Sequence, residues 1–387
     1  MKKHLFLIFS IFILLTVSIP AQSVNTPWWL SLEYGKQRFR SGDYGSALLL
    51  FEDARRGRRA MYEQMERDLI TLLSTAEARR IGDSLDRIEN MAKDRFYTAS
   101  IAALDELYYR VPKSSLNNSA ASALSAIGKL KDFPEAEYWI GEVYRVEGEL
   151  SLALFQYRKS LDMSANLEDP GFTTALRYKI ASVLSTRQEY NEMERALFSI
   201  INELDTLWTN AASFSASANN VAGTRQALAS FARSAMTRTL ENDGINRFLE
   251  LHRYNNISVE QAHRLLGLFY VNRGNSSAQQ HLMFSFLIQN TVIIEEIRRR
   301  QFDFTFTNLD VLVQEINRYP VLLSFVDEVE YYKTTYYFAA SLLRNGNTTV
   351  ARSLWEFLAA WPQAGEWQGR ASSQLRNPRF EPIVEMP

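Results

Sequence analysis

The chain has 387 residues, 46% hydrophobic and 22% charged, which is enough apolar content to bury a large core. Its 43 basic and 44 acidic residues leave a formal charge of −1, so no basic excess marks it for nucleic acid. It contains no cysteine, which excludes disulfides, thiolate metal sites, a cysteine nucleophile and the lipid-bearing cysteine of a bacterial lipoprotein.

The chain begins MKKHLFLIFSIFILLTVSIPAQS. Lys2 and Lys3, an apolar run from Leu5 to Ile19, then Pro20 and small residues have the layout of a secretory leader over residues 1–23, cleaved after Ala21 or after Ser23. The run is about 15 residues, short of the roughly 20 a spanning helix needs, so retention as an anchor is the weaker reading. The style of the leader is bacterial and points to a periplasmic or secreted protein. Losing the two lysines takes the charge from −1 to −3.

Trp28 to Gly57 follows as a helix, a turn and a second helix, marked by Gly35, Gly42, Ala47, Phe51 and Ala54. Ala60 to Arg80 is helical in pattern and is expected as a spacer helix. Asp83 to Pro112 is a weaker pair, with Ser100, Leu104 and Leu107 on its second helix but Ile88 and Arg95 in place of small residues. Lys113 to Lys131, rich in Ser, Asn and Ala, is a small-residue helix or a connector. Pro134 to Asp162 is the sharpest pair: Ile140, Gly141 and Tyr144, then Gly148, then Ala153, Tyr157 and Leu161. Small Gly141 and Ala153 allow close approach of the two axes, and Pro134 suits a first helical turn.

Pro170 to Asp205 repeats the pattern with Ala181 and Leu184, Glu189 and Tyr190 at the turn, then Met193, Leu197 and Ile200. Residues 208–224 have few large side chains to bury and many Ser and Asn, as in a linker or hinge loop. Arg225 to His252 is helical without the repeat's marks. Ser258 to Gln289 restores them with Gly267, Tyr270 and Gly274, although Met283 and Phe286 stand one register out. Phe302 to Thr307 alternates like a strand but has no partner strand, and is expected as a turn and helix start. Val329 to Trp361 is a second clear pair, with Ala339, Leu342, Gly346, Ala351, Trp355 and Leu358 before Pro362. Residues 363–387 are expected as a loosely packed tail.

The recurring order of small residue, aromatic, turn glycine, small residue, aromatic resembles the tetratricopeptide repeat (TPR). The turn positions Gly42, Arg95, Gly148 and Gln188 are 53, 53 and 40 residues apart, against about 34 in that family, so inserted helices are expected. The resemblance implies an all-α fold: a right-handed α-solenoid of TPR-like hairpins, irregular, with an N-terminal array over 24–207 and a C-terminal array over 225–362. It also implies a groove lined by the first helix of each pair. Residues pointing into it would be Tyr138, Trp139, Glu142 and Arg145; Tyr178, Lys179 and Ser182; and Lys333, Tyr336, Tyr337 and Arg344. Tyr, Trp and Arg dominate binding hot spots, although such aromatics equally pack between repeats. The Lys/Asn arrangement with which some TPR domains hold a C-terminal carboxylate is missing around Lys36 and Lys179.

No catalytic constellation stands out. There is no nucleophile elbow, phosphate loop or dinucleotide fingerprint. His252, His263 and His281 have no companion at ligand spacing and are expected as surface or groove histidines, with no metal or cofactor. The acidic runs around Glu63, Glu66 and Asp68 and around Asp327, Glu328 and Glu330 read as solvated faces, as do the arginines 55–59 and 298–300, the latter pairing with Glu295 and Glu296. The sequence thus points to a non-enzymatic scaffold that binds a protein or peptide. A peptidoglycan-processing enzyme or its accessory, and an outer-membrane protein assembly factor, are the rival readings.

Overall fold

A computed structural model describes residues 26–73, 90, 128–164, 170–205 and 221–379. Among them the chain is all-helical, with fourteen α-helices and no strand. They form two compact units that divide between Asp169 and Pro170. The leader, the expected pair at 83–112 and most of the 208–224 linker lie outside the described residues. Val221–Thr224, expected as the linker's end, open a helix instead.

The first unit contains α1 (Trp28–Arg40), α2 (Tyr44–Leu73), α3 (Pro134–Val146) and α4 (Leu150–Asp162). α1 packs on α2, α3 on α4, and α3 also on α2. The stretch from Ala60, expected as a separate spacer, continues α2 without a break to Leu73. Leu32, Ala47, Phe51, Ala54, Phe133, Ala136, Ile140 and Val143 form one core between the two pairs.

The second unit contains α5 (Pro170–Thr186), α6 (Tyr190–Leu204), α7 (Val221–Leu251), α8 (Ile257–Arg273), α9 (Ala278–Arg300), α10 (Leu309–Arg318), α11 (Pro320–Glu328), α12 (Tyr331–Arg344), α13 (Thr348–Ala359) and α14 (Glu366–Arg376). Neighbours pack in the order α5–α6–α8–α9–α12–α13–α14, while α7 lies against α13 and α9. Residues 302–307 form a turn and an extended lead into α10, as their unpaired alternation suggested. The expected tail contains a helix, α14, that packs on α12 and α13. Its buried residues are Ala371 and Gln374, which carry almost no hydrophobic signal in the sequence.

Five of these pairs turn in the same way. Gly42, Gly148, Gln188, Gly274 and Gly346 have φ of 81°, 83°, 62°, 68° and 89°. The left-handed residue lets the chain reverse while the last carbonyls of the first helix stay bonded. At the first turn, the Gly42 amide donates to the Phe39 carbonyl and the Asp43 amide to the Arg38 carbonyl, both at 3.0 Å. The same two bonds recur one for one at the other four turns. Gln188 makes them without glycine, which explains why that turn was faint in the sequence.

Close approach of the paired helices is enforced by the small residue seven positions before each turn. A Cβ on Gly35 would stand 2.5 Å from the Phe51 ring, and one on Gly141 2.7 Å from the Tyr157 ring. In the fourth pair the turn is longer, from Gly274 to Ser277, and Gly267 faces Leu282 in place of Met283. That is the register slip visible in the sequence.

Candidate partner-binding face

Counting back from each turn residue sorts the first-helix side chains into two sets. In α1, α5, α8 and α12 the residue ten positions before the turn packs onto a helix further along the chain, and in α1 so does the residue three before it. Leu32 lies in the core shared with α3, and the Phe39 ring meets Trp139 edge-on at 5.4 Å. Tyr178 donates its hydroxyl proton to the Ser258 carbonyl at 2.9 Å and accepts from the Ala262 amide at 3.1 Å, which ties α5 to the first turn of α8. Arg264 pairs with Glu330 at the start of α12. The Tyr336 hydroxyl accepts from Gln374 Nε2 of α14 at 2.9 Å.

The second set stands thirteen, nine, six and two positions before the turn. In α1 these are Trp29, Glu33, Lys36 and Arg40; Trp29 is 54% exposed, and Lys36 donates to Glu33 at 2.7 Å. In α3 they are Glu135, Trp139, Glu142 and Val146. In α5 they are Ala175, Lys179, Ser182 and Thr186, exposed except for half-buried Lys179. α8 presents Gln261 and Asn272 to solvent, and α12 presents Arg344 and half-buried Lys333.

The eleven expected groove residues therefore divide. Trp139, Glu142, Lys179, Ser182, Lys333, Tyr337 and Arg344 occupy the second set; Tyr138, Arg145, Tyr178 and Tyr336 occupy the packing set. Even within the second set, several are used internally. The Trp139 ring stacks on Phe51 at 5.8 Å. Glu142 is buried, accepts from the Tyr157 hydroxyl at 2.5 Å and pairs with Arg145 at 2.9 Å. Tyr138 lies beside Tyr157, and burial together with the Glu142 carboxylate pushes its phenol up to about 12. Tyr337 is buried under α14, where it accepts from Arg370 at 3.1 Å and meets the Trp367 ring. Arg344 lies over Gly274 in the turn of the preceding pair.

The sequence reading missed Trp29, Glu33, Lys36 and Arg40. The signal was available: counting back from Gly42 as from Gly148 gives them directly. What the sequence did not carry is which positions the next helix covers.

Three buried ionic clusters hold the packing in register. Glu137, 1% exposed, joins Arg55 of α2 at 3.1 Å to Lys159 of α4 at 2.5 Å. Glu260 accepts from Ser285 at 2.8 Å and Gln289 at 2.7 Å and pairs with Arg264; burial pushes its carboxyl up. The third overturns the surface-or-groove expectation for two of the three histidines. His263 and His281 are buried, with Nδ1 atoms 3.0 Å apart, and His263 Nε2 lies 2.8 Å from Asp205 Oδ2. The carboxylate companion comes from a separate helix end, so no local spacing could reveal it. No group of His, Asp and Glu among the described residues is arranged to hold a metal, and no described helix is long and apolar enough to cross a membrane.

No family model matches the chain. It is similar to an uncharacterized protein of Treponema pallidum, 26% identical over 353 residues that span 90% of this chain and 89% of that protein. It is also similar to an uncharacterized protein of Borreliella burgdorferi, 21% identical over 272 residues that span 68% of this chain and 84% of that protein.

Proposed function

We propose that the chain is a non-enzymatic, exported scaffold of the TPR type, in which helix pairs stack as a right-handed solenoid within each unit and a protein or peptide segment binds the exposed first-helix residues. The observation that supports this most is the division of labour within α1 and α5, repeated in part at the two ends of α8. One set of positions is used to dock the next helix, while the set beside it keeps Trp29, Glu33, Arg40, Ser182, Thr186, Gln261 and Asn272 in solvent. An exposed Trp beside charged and amide side chains suits a surface that buries a ligand's apolar groups and fixes its register by hydrogen bonds. The leader-like residues 1–23 support the export in this reading, with the partner in the periplasm or outside the cell.

The test is a pair of variants in the full chain. Trp29→Ala with Arg40→Ala removes exposed groups, so the unfolding free energy stays within about 0.5 kcal/mol of wild type. Partner recovered from crosslinked envelopes falls at least about tenfold, as loss of hot-spot residues requires. Undiminished recovery with both residues gone would remove α1 from the binding face.

A further inference from the structure

Asp205, at the end of α6, is the hub of a polar chain through the second unit. Its Oδ1 accepts from the Tyr254 hydroxyl at 2.5 Å and its Oδ2 faces His263 Nε2 of α8. His263 in turn meets His281, in the first turn of α9, nitrogen to nitrogen. Both imidazoles are essentially without solvent contact. Aromatic rings surround them: Phe284 stacks on His263 at 5.2 Å, and Phe198 and Tyr270 approach His281 at 5.6 Å each.

Proton counting limits what this chain can hold. Two Nδ1 atoms 3.0 Å apart need one proton between them, one ring donating and the other accepting. If both rings are cationic, two N–H groups face each other, the bond is lost, and two charges sit among apolar rings. The other charged groups facing the site do not relieve this. Arg233 of α7 adds positive charge near Asp205. Glu194 of α6 is bonded to the Tyr270 hydroxyl, and Asp205 already accepts from Tyr254 and His263.

We propose that the Asp205–His263–His281 chain is an acid-sensitive latch: double protonation of the histidines forces the rings apart and opens the junction of α6, α8 and α9. Consistent with this geometry, burial holds His263 below its ordinary range despite the Asp205 carboxylate, and burial with the neighbouring His263 holds His281 well below it. The unfolded chain, with ordinary histidines near 6.5, then binds more protons than the folded one as pH falls. The stabilisation is present above that value and is lost on acidification.

Denaturant unfolding of the full chain, followed from about pH 7.5 to about pH 5, reads the effect. The unfolding constant of the second unit rises more than about tenfold over that range. His281→Asn, which keeps a donor where Nδ1 stood but cannot titrate, at least halves the rise. His252→Asn is the comparison, because His252 is also held low by burial but bonds Thr239 instead; it removes only its own share and leaves most of the rise in place. An unchanged rise in His281→Asn, or its disappearance in His252→Asn, overturns the latch. Should His281→Asn fail to fold, hydrogen exchange on the wild-type chain decides. Protection lost at about pH 5 in α6, α8 and α9 ahead of α12 and α13 supports the latch. Uniform loss across the unit contradicts it.

Discussion

Gly141 and Gly148 lie seven residues apart and are required for opposite reasons, which makes them a sensitive probe of the packing. At Gly141 the obstacle is the Tyr157 ring, so Gly141→Ala overpacks the helix interface and costs about 1–3 kcal/mol. At Gly148 nothing stands within 4 Å of an added Cβ, and the obstacle is φ of 83°; Gly148→Ala costs about 1–2 kcal/mol through backbone strain alone. Gly45, near the start of α2, has neither constraint, and Gly45→Ala is neutral or stabilising by up to about 1 kcal/mol. Denaturation midpoints of the three variants check this order. Glu137 is the corresponding polar residue: Glu137→Leu leaves Arg55 and Lys159 without their shared carboxylate, at about 1–3 kcal/mol because both cations keep some solvent contact.

At the scale of the element, the turns were the most legible part of the sequence. Four of the five reversals carry glycine at the left-handed position and so leave a local mark, while the fifth, Gln188, is marked only by Ala181 seven residues before it. Arg95 was read the same way and lies outside the described residues. The contacts between pairs left no such mark. Tyr178 and Ser182 look equally available on α5, yet only Tyr178 is taken up by α8. That choice depends on where α8 comes to rest, which no local pattern encodes. Tyr178→Phe therefore loses two inter-helix hydrogen bonds and about 1–3 kcal/mol of stability without changing partner capture. Calorimetry paired with a binding assay separates the two effects. α14 was illegible for a related reason: its contact face is built on Ala371 and Gln374, with Trp367 and Arg370 covering Tyr336 and Tyr337. A chain ending before Glu366 exposes those rings, and its expected behaviour is self-association on size exclusion together with a lowered melting midpoint.

For the whole molecule, a chain without cysteine has no disulfides to hold it, and the described residues bury large side chains such as Trp355, Trp361, Tyr157 and Phe51. α7 falls between the turns at Gln188 and Gly274, and α10 and α11 between those at Gly274 and Gly346, which lengthens both intervals; α7 lies against α13 and α9. The proposed scaffold asks of this architecture only that the exposed first-helix positions of α1, α5 and α8 stay open. A photoactivatable residue placed in turn at Lys36, Ser182 and Asn272, and for comparison at Arg195 and Ser353 on second helices, tests that directly in living cells. The expected result is partner adducts from the three first-helix positions and none from the two second-helix positions. Adducts confined to Arg195 or Ser353, or spread evenly over all five, would contradict it.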